Sequence, residues 1–178
     1  STKEEILNYI TQSDIKNLNE LEDNNEKSLI NNIVNLKTKN VENIMVPRAE
    51  IVSIEKSQSY DEIMKIIETE SHSRMPVYEQ NLDNVLGFFH IKDLLKSISS
   101  KNFEMKKILR EILYVAPKSP ILDLLKRMRS SRIHIGLIVD EFGGVDGLVT
   151  IEDLVEEIVG EIEDEHDAED FEDIPSKI

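Results

Sequence analysis

At 178 residues, 39% of them hydrophobic, the chain can form one compact domain with appendages. It has no cysteine, which excludes disulfides, thiolate chemistry and cysteine-type zinc sites and fits a cytosolic setting. Of the net charge of −15, the stretch from Glu152 to Asp173 holds −13, with no Lys or Arg, leaving −2 for the rest. This balance argues against nucleic-acid binding, which needs clustered basic residues.

Residues 1–40 are polar, Asn-rich and helix-prone. Ile6, Leu7 and Ile10 recur at helical spacing, as do Leu29, Ile30, Ile33 and Val34, with Asn19–Asn25 as a loop between them. Two short helices are expected here. The start lacks the basic-then-apolar pattern of a signal peptide, and no apolar run is long enough to cross a bilayer. The expectation is a soluble protein or a soluble piece of one.

From Val41 a pattern begins that the chain later repeats. Ile51–Ile54 reads as a strand and Tyr60–Glu68 as an amphipathic helix entered after Ser57–Ser59. Arg74–Tyr78 is a second strand, with Pro76 near its start, where a missing N–H is tolerated. Val85–Phe89 is a third strand, and Ile91–Ile98 a helix. The second copy runs Leu113–Val115, Ile121–Arg129, Ile135–Asp140, Val145–Val149 and Ile151–Ile162. The strand-to-helix junction Gly87–Leu95 thus recurs as Gly147–Val155, each copy with an aspartate in the first helical turn. The expected fold is α/β (α+β): tandem β-α-β-β-α repeats packed pseudo-symmetrically, because a unit this short cannot bury its sheet alone. The expected divisions are a helical leader at 1–40, repeats at 41–100 and 101–162, and an acidic tail at 163–178.

This unit resembles the CBS domain, and two in tandem resemble a CBS pair, or Bateman module. Ile44-Met45-Val46-Pro47-Arg48, Ser73-Arg74-Met75-Pro76-Val77-Tyr78, Asp140-Glu141-Phe142-Gly143-Gly144 and Gly147–Ile162 are more specifically similar to the CorC/HlyC family. Its members are known as magnesium and cobalt efflux proteins or as hemolysin-related proteins. The resemblance covers about residues 27–167. Full-length members carry a further small C-terminal domain, so the chain looks like an excised fragment.

The resemblance implies a bound adenine nucleotide, ATP or AMP. An ionised carboxylate is an acceptor-only fork suited to the paired hydroxyls of a ribose, and a helix start suits phosphate oxygens. By resemblance, Asp153 takes the ribose and Thr150 the ribose or phosphate. Ile54, Val77, Val115 and Ile135 flank the adenine, and Arg74 and Pro76 line the pocket. Arg74 has the planar fork that pairs phosphate or stacks on a base. The bland alternative for Thr150 and Asp153 is a capping box, a routine helix-start device that does not exclude ligand contact. In the first copy His90 replaces the threonine while Asp93 keeps its place. A histidine is not expected to cap as a threonine does, so this second site reads as degenerate, with one functional site per pair.

Gly143, Gly144 and Gly147 fit neither phosphate-loop pattern and read as a hairpin turn and a tight strand entry. His72, His90, His134 and His166 show no metal-ligand spacing, so no direct metal ligand is expected. Mg2+ would be held through nucleotide phosphates near Glu156, and the acidic segment is otherwise a solvated helix end and linker. With no activated nucleophile and no paired acid and base, the chain does not read as an enzyme.

The resemblance implies a cytoplasmic regulatory module, peripheral to the inner membrane, that reports to a membrane transport component for magnesium or cobalt efflux. Helix faces at Leu94/Leu95 and Leu154/Val155 are expected to be exposed and to mediate a homodimer. The alternatives are a ligand-free dimerisation scaffold and part of a membrane-damaging hemolysin. The absence of a spanning segment or basic amphipathic helix speaks against the hemolysin.

Overall fold

The computed structural model describes residues 26–97 and 103–159. The helix expected around Ile6–Ile10 and the acidic tail beyond residue 159 lie outside the described residues. The elements in order are α1 (Glu26–Leu36), β1 (Val46–Pro47), β2 (Ile54–Glu55), α2 (Tyr60–Thr69), β3 (Arg74–Glu79), β4 (Asn81–His90), α3 (Ile91–Lys96), α4 (Met105–Ile108), β5 (Leu113–Val115), α5 (Ile121–Ser131), β6 (Ile135–Val139), β7 (Val145–Thr150) and α6 (151–159). This mixed α/β content matches the fold expected from the sequence. The chain divides into two compact units that cut across the sequence repeats. One comprises Ser1–Met45, Ala116–His134 and Val149–Ile178, the other Val46–Val115 and Ile135–Leu148.

In the first unit, α5 buries Ile121, Leu124, Leu125 and Met128, the spacing of a single helical stripe. Helix α6 buries Ile151, Leu154 and Ile158 in the same way. Asn32 of α1, a buried polar residue, donates its side-chain amide to the Ile158 carbonyl at 3.0 Å. That bond gives a carbonyl in the last described turn of α6 a side-chain donor. Val41 and Glu42 donate their backbone N–H groups to the carbonyls of Ser119 and Pro117, fixing the chain just before α5.

The second unit holds two sheets, one ordered β2-β3-β4 and the other β1-β7-β6-β5. The duplication is visible in their register. Ile54 pairs with Val77 in parallel, and Val115 pairs with Ile138 in parallel, each residue of the second pair standing at the matching position of the second repeat. The leading segments are exchanged: β1 pairs antiparallel with β7 of the second repeat, while Arg110 forms an antiparallel bridge with Phe88 of the first. A core of Ile54, Ile63, Met75, Val77, Phe89 and Leu94 is fully buried. Helix α2 is capped by Ser59, whose hydroxyl accepts from the Glu62 N–H at 3.3 Å.

Several expectations need correction. The strand expected at Ile51–Ile54 is only Ile54–Glu55: a 3-10 turn occupies Arg48–Glu50, and β2 pairs with β3 only at Ile54 and Glu55. Pro76 lies third in β3, the central strand, not at its start. It is tolerated because Phe88, its partner on β4, exchanges both backbone bonds with Arg110 instead, which turns the Pro76 nitrogen toward the side of β2. Strand β2 begins pairing only at Val77, so no ladder bond is lost. Leu94 and Leu154 are not surface residues: both are completely buried, and only Leu95 of the faces expected for dimerisation is an exposed large hydrophobic. They occupy the inward positions of their helices, which the adjacent apolar pairs Leu94/Leu95 and Leu154/Val155 had concealed in sequence.

The hairpin between β6 and β7 confirms the reading of its glycines. Asp140 Oδ1 accepts from the N–H groups of Phe142 at 2.9 Å and Gly144 at 2.8 Å. Gly143 sits at φ +83°, a left-handed conformation that glycine adopts without strain.

Candidate functional site

The junction between β7 and α6 is a reciprocal capping box. The Thr150 N–H donates to Asp153 Oδ2 at 2.9 Å, and the Asp153 N–H donates to Thr150 Oγ1 at 3.4 Å. The Ile151 N–H donates to the His134 carbonyl at 3.0 Å. Both polar side chains are half-buried, and the neighbouring Ile151 and Leu154 are buried. One backbone donor uses only part of the acceptor capacity of an ionised carboxylate, so Asp153 retains the chemistry to accept from hydroxyl groups.

The corresponding junction of the first repeat, between β4 and α3, is built differently. His90 does cap its helix, contrary to expectation: Nδ1 accepts from the Lys92 N–H at 3.1 Å. This needs an unprotonated Nδ1. Burial, reinforced by Arg74, Lys92 and Arg110, pushes the His90 imidazole below its ordinary value, against the opposing pull of Asp93. Arg74 is the cross-strand partner of His90 in the register of β3 and β4. Asp93 makes an ion pair through Oδ2 with Arg110 Nη2 at 2.6 Å. Nothing in the sequence marked Arg110, which lies in the leading segment of the second repeat with no motif around it.

The residues expected to line a ligand pocket fall into two groups. Thr150 and Asp153 belong to the first unit; Ile54, Arg74, Pro76, Val77, His90, Asp93, Val115 and Ile135 belong to the second. The structure brings Ile54 beside Val77 through the register of β2 and β3. Ile54, Val77 and Ile135 have no exposed surface, Val115 has 2%, and Pro76 is also buried, so packing is the role these side chains show. Arg74 is half-buried. Among the described residues no group of three or more His, Asp or Glu could hold a metal ion, and no helix is long and apolar enough to cross a membrane.

A duplicated β-α-β-β-α unit with matched parallel register and paired strand-to-helix junctions defines a tandem-repeat α/β module. The CBS domain profile matches residues 41–100 and 105–160, and the chain belongs to the CBS domain family. Its fold and sequence are similar to the solved CBS domain of a bacterial CNNM/CorC family Mg2+ transporter in complex with ATP. That likeness has a TM-score of 0.71 and 35% identity, and covers 76% of this chain and 97% of that one. A CBS-domain pair with bound AMP from Klebsiella pneumoniae is also similar, with a TM-score of 0.59 and 33% identity over 68% of this chain and 98% of that one. The Hemolysin C homolog of Rickettsia rickettsii (strain Sheila Smith) is 49% identical over 144 residues, 80% of this chain and 48% of the relative. The chain therefore spans about half the length of that curated relative.

Proposed function

We propose that this chain binds an adenine nucleotide, ATP or AMP, with Asp153 accepting from the ribose hydroxyls and Thr150 serving ribose or phosphate. The observation that carries this reading is the Thr150–Asp153 pair at the start of α6, whose carboxylate keeps acceptor capacity beyond its capping bond. Solved relatives in complex with ATP and with AMP support it. From the family resemblance the proposal also takes Arg74 as a phosphate or base contact, Pro76, Ile54, Val77, Val115 and Ile135 as contacts, and Mg2+ as a companion of the phosphates. The module is non-catalytic, in keeping with CBS modules generally. It works as a homodimer on the cytoplasmic side of a membrane transport component and reports nucleotide or magnesium status to magnesium or cobalt efflux.

Calorimetry and melting with ATP and AMP, with and without Mg2+, test the proposal. Saturation near one hundred times Kd should raise Tm by roughly 5–10 °C. Asp153→Ala should abolish the shift. No heat and no shift with either nucleotide would leave the dimerisation scaffold as the better reading. The names of the curated relatives favour a second reading, a contribution to membrane damage, which leakage from liposomes treated with the purified chain would support.

A further inference from the structure

Asp93 occupies in the first repeat the position that Asp153 occupies in the second, but its carboxylate is differently engaged. Asp153 is bonded by a backbone N–H at its own helix start. Asp93 is instead held by a guanidinium delivered from elsewhere in the chain, at 2.6 Å, with its side chain only 21% exposed. The delivery is fixed by the backbone. Arg110 and Phe88 exchange two hydrogen bonds, Phe88 N–H to the Arg110 carbonyl at 2.9 Å and Arg110 N–H to the Phe88 carbonyl at 2.7 Å. Gly87 permits this approach, because a Cβ there would stand 2.3 Å from the Arg110 carbonyl oxygen. The bridge anchors the arginine one strand away from the carboxylate it reaches.

We propose that Arg110 is an internal lock on the first repeat: its guanidinium occupies the acceptor face of Asp93 that a ribose would need, and so limits the chain to one nucleotide. The lock rests on the reading of Asp153 as a ribose acceptor. A ribose hydroxyl offers a neutral donor, whereas Arg110, itself exposed, offers a charged one to a carboxylate that is largely buried, which is the stronger bond. Displacing it should weaken ribose binding at Asp93 roughly tenfold or more.

The test is AMP titration calorimetry on the whole chain. Arg110→Met keeps the aliphatic stem and the backbone groups that pair with Phe88, and removes only the charged fork. Wild type should bind one AMP, Arg110→Met two, and Arg110→Met/Asp93→Asn one again. Arg110→Gln provides a second variant with the same expectation. If both single variants keep the wild-type stoichiometry, the lock is overturned. Placing Arg110→Met in an Asp153→Asn background separates this outcome from failure of the nucleotide reading. Where wild type binds AMP, the lock predicts one AMP bound through Asp93 in that background, and no binding there overturns the lock; a wild type that binds none overturns the nucleotide reading instead.

Discussion

Asp83 and Arg48, both in the first repeat, form an ion pair that also binds the backbone of Val145 in the second repeat, within the second unit. The Arg48 guanidinium donates to Asp83 Oδ1 and also to the Val145 carbonyl at 3.1 Å, while the Val145 N–H donates back to the same Asp83 oxygen at 3.1 Å. Three strands, or the turns flanking them, thus meet at one carboxylate. The Arg48 bond above all, then the Val145 N–H, holds the Asp83 carboxyl below the usual carboxylate range.

A carboxylate with a depressed native pKa contributes stability that is present at neutral pH and lost as pH falls through that lowered value. Asp83→Asn should therefore lower Tm by a few degrees at pH 7. The gap to wild type should close under strong acid and shrink in molar salt, since the pair is exposed. A gap independent of both pH and salt would rule out an electrostatic role.

The capping and ligand-binding roles of the second junction can be separated by chemistry. Asp153→Asn keeps an acceptor for the Thr150 N–H and should cost little stability, yet it removes the charge that strengthens bonds from ribose hydroxyls. Nucleotide affinity should fall roughly tenfold or more. Thr150→Ala removes the cap oxygen and should cost about 1 kcal/mol of stability in denaturant unfolding. Equal loss of affinity and stability in Asp153→Asn would point to capping alone.

Gly87→Ala places a methyl group against the Arg110 carbonyl oxygen, a backbone atom that cannot rotate away. The bridge between Phe88 and Arg110 must open or β4 must shift, at a cost of about 1–3 kcal/mol. Urea unfolding measures this. A variant as stable as wild type would show that the close approach relaxes freely.

His90 gives a second pH dependence, of opposite origin. Its pKa is pushed down in the folded state, so the unfolded chain binds the proton more readily. Stability from a neutral His90 is complete above the ordinary histidine value, near pH 6.5, and is lost as pH falls from there through the lower native value. Replacement by threonine, the residue of the second repeat, should flatten the Tm loss between pH 7 and pH 5 while keeping a cap. An unchanged slope would mean that other groups set it.

The repeat and its junctions were legible because they rest on local pattern. The stripe of α5, the Ser59 cap and the aspartate three residues after each strand end are all spaced within one or two helical turns. The matched pairs Ile54–Val77 and Val115–Ile138 were implicit in the repeat offset. Long-range features were not legible. Strand β1 is two residues long and exists only because β7 offers it an edge. Arg110 acquires meaning only through Asp93, and Asp83 only through Arg48 and Val145. Sequence also left open which of two adjacent apolar residues in a helix faces inward, and at Leu94 and Leu154 burial decided against the exposed face.

The exchange of leading segments, β1 onto β7 and Arg110 onto Phe88, bears on how the chain is made. Pairing Val46 with Leu148 closes a span of roughly 100 residues, the kind of distant contact that slows folding. On the ribosome, β1 must wait, its ladder groups open, until almost the whole second repeat has emerged. The first repeat likewise completes β4 only when Arg110 arrives. An early stop between the repeats would release a half with two unmatched strand edges, a substrate for chaperones or for pairing with another copy. Duplication has thus produced interdependence, and neither copy is a finished product without its sibling.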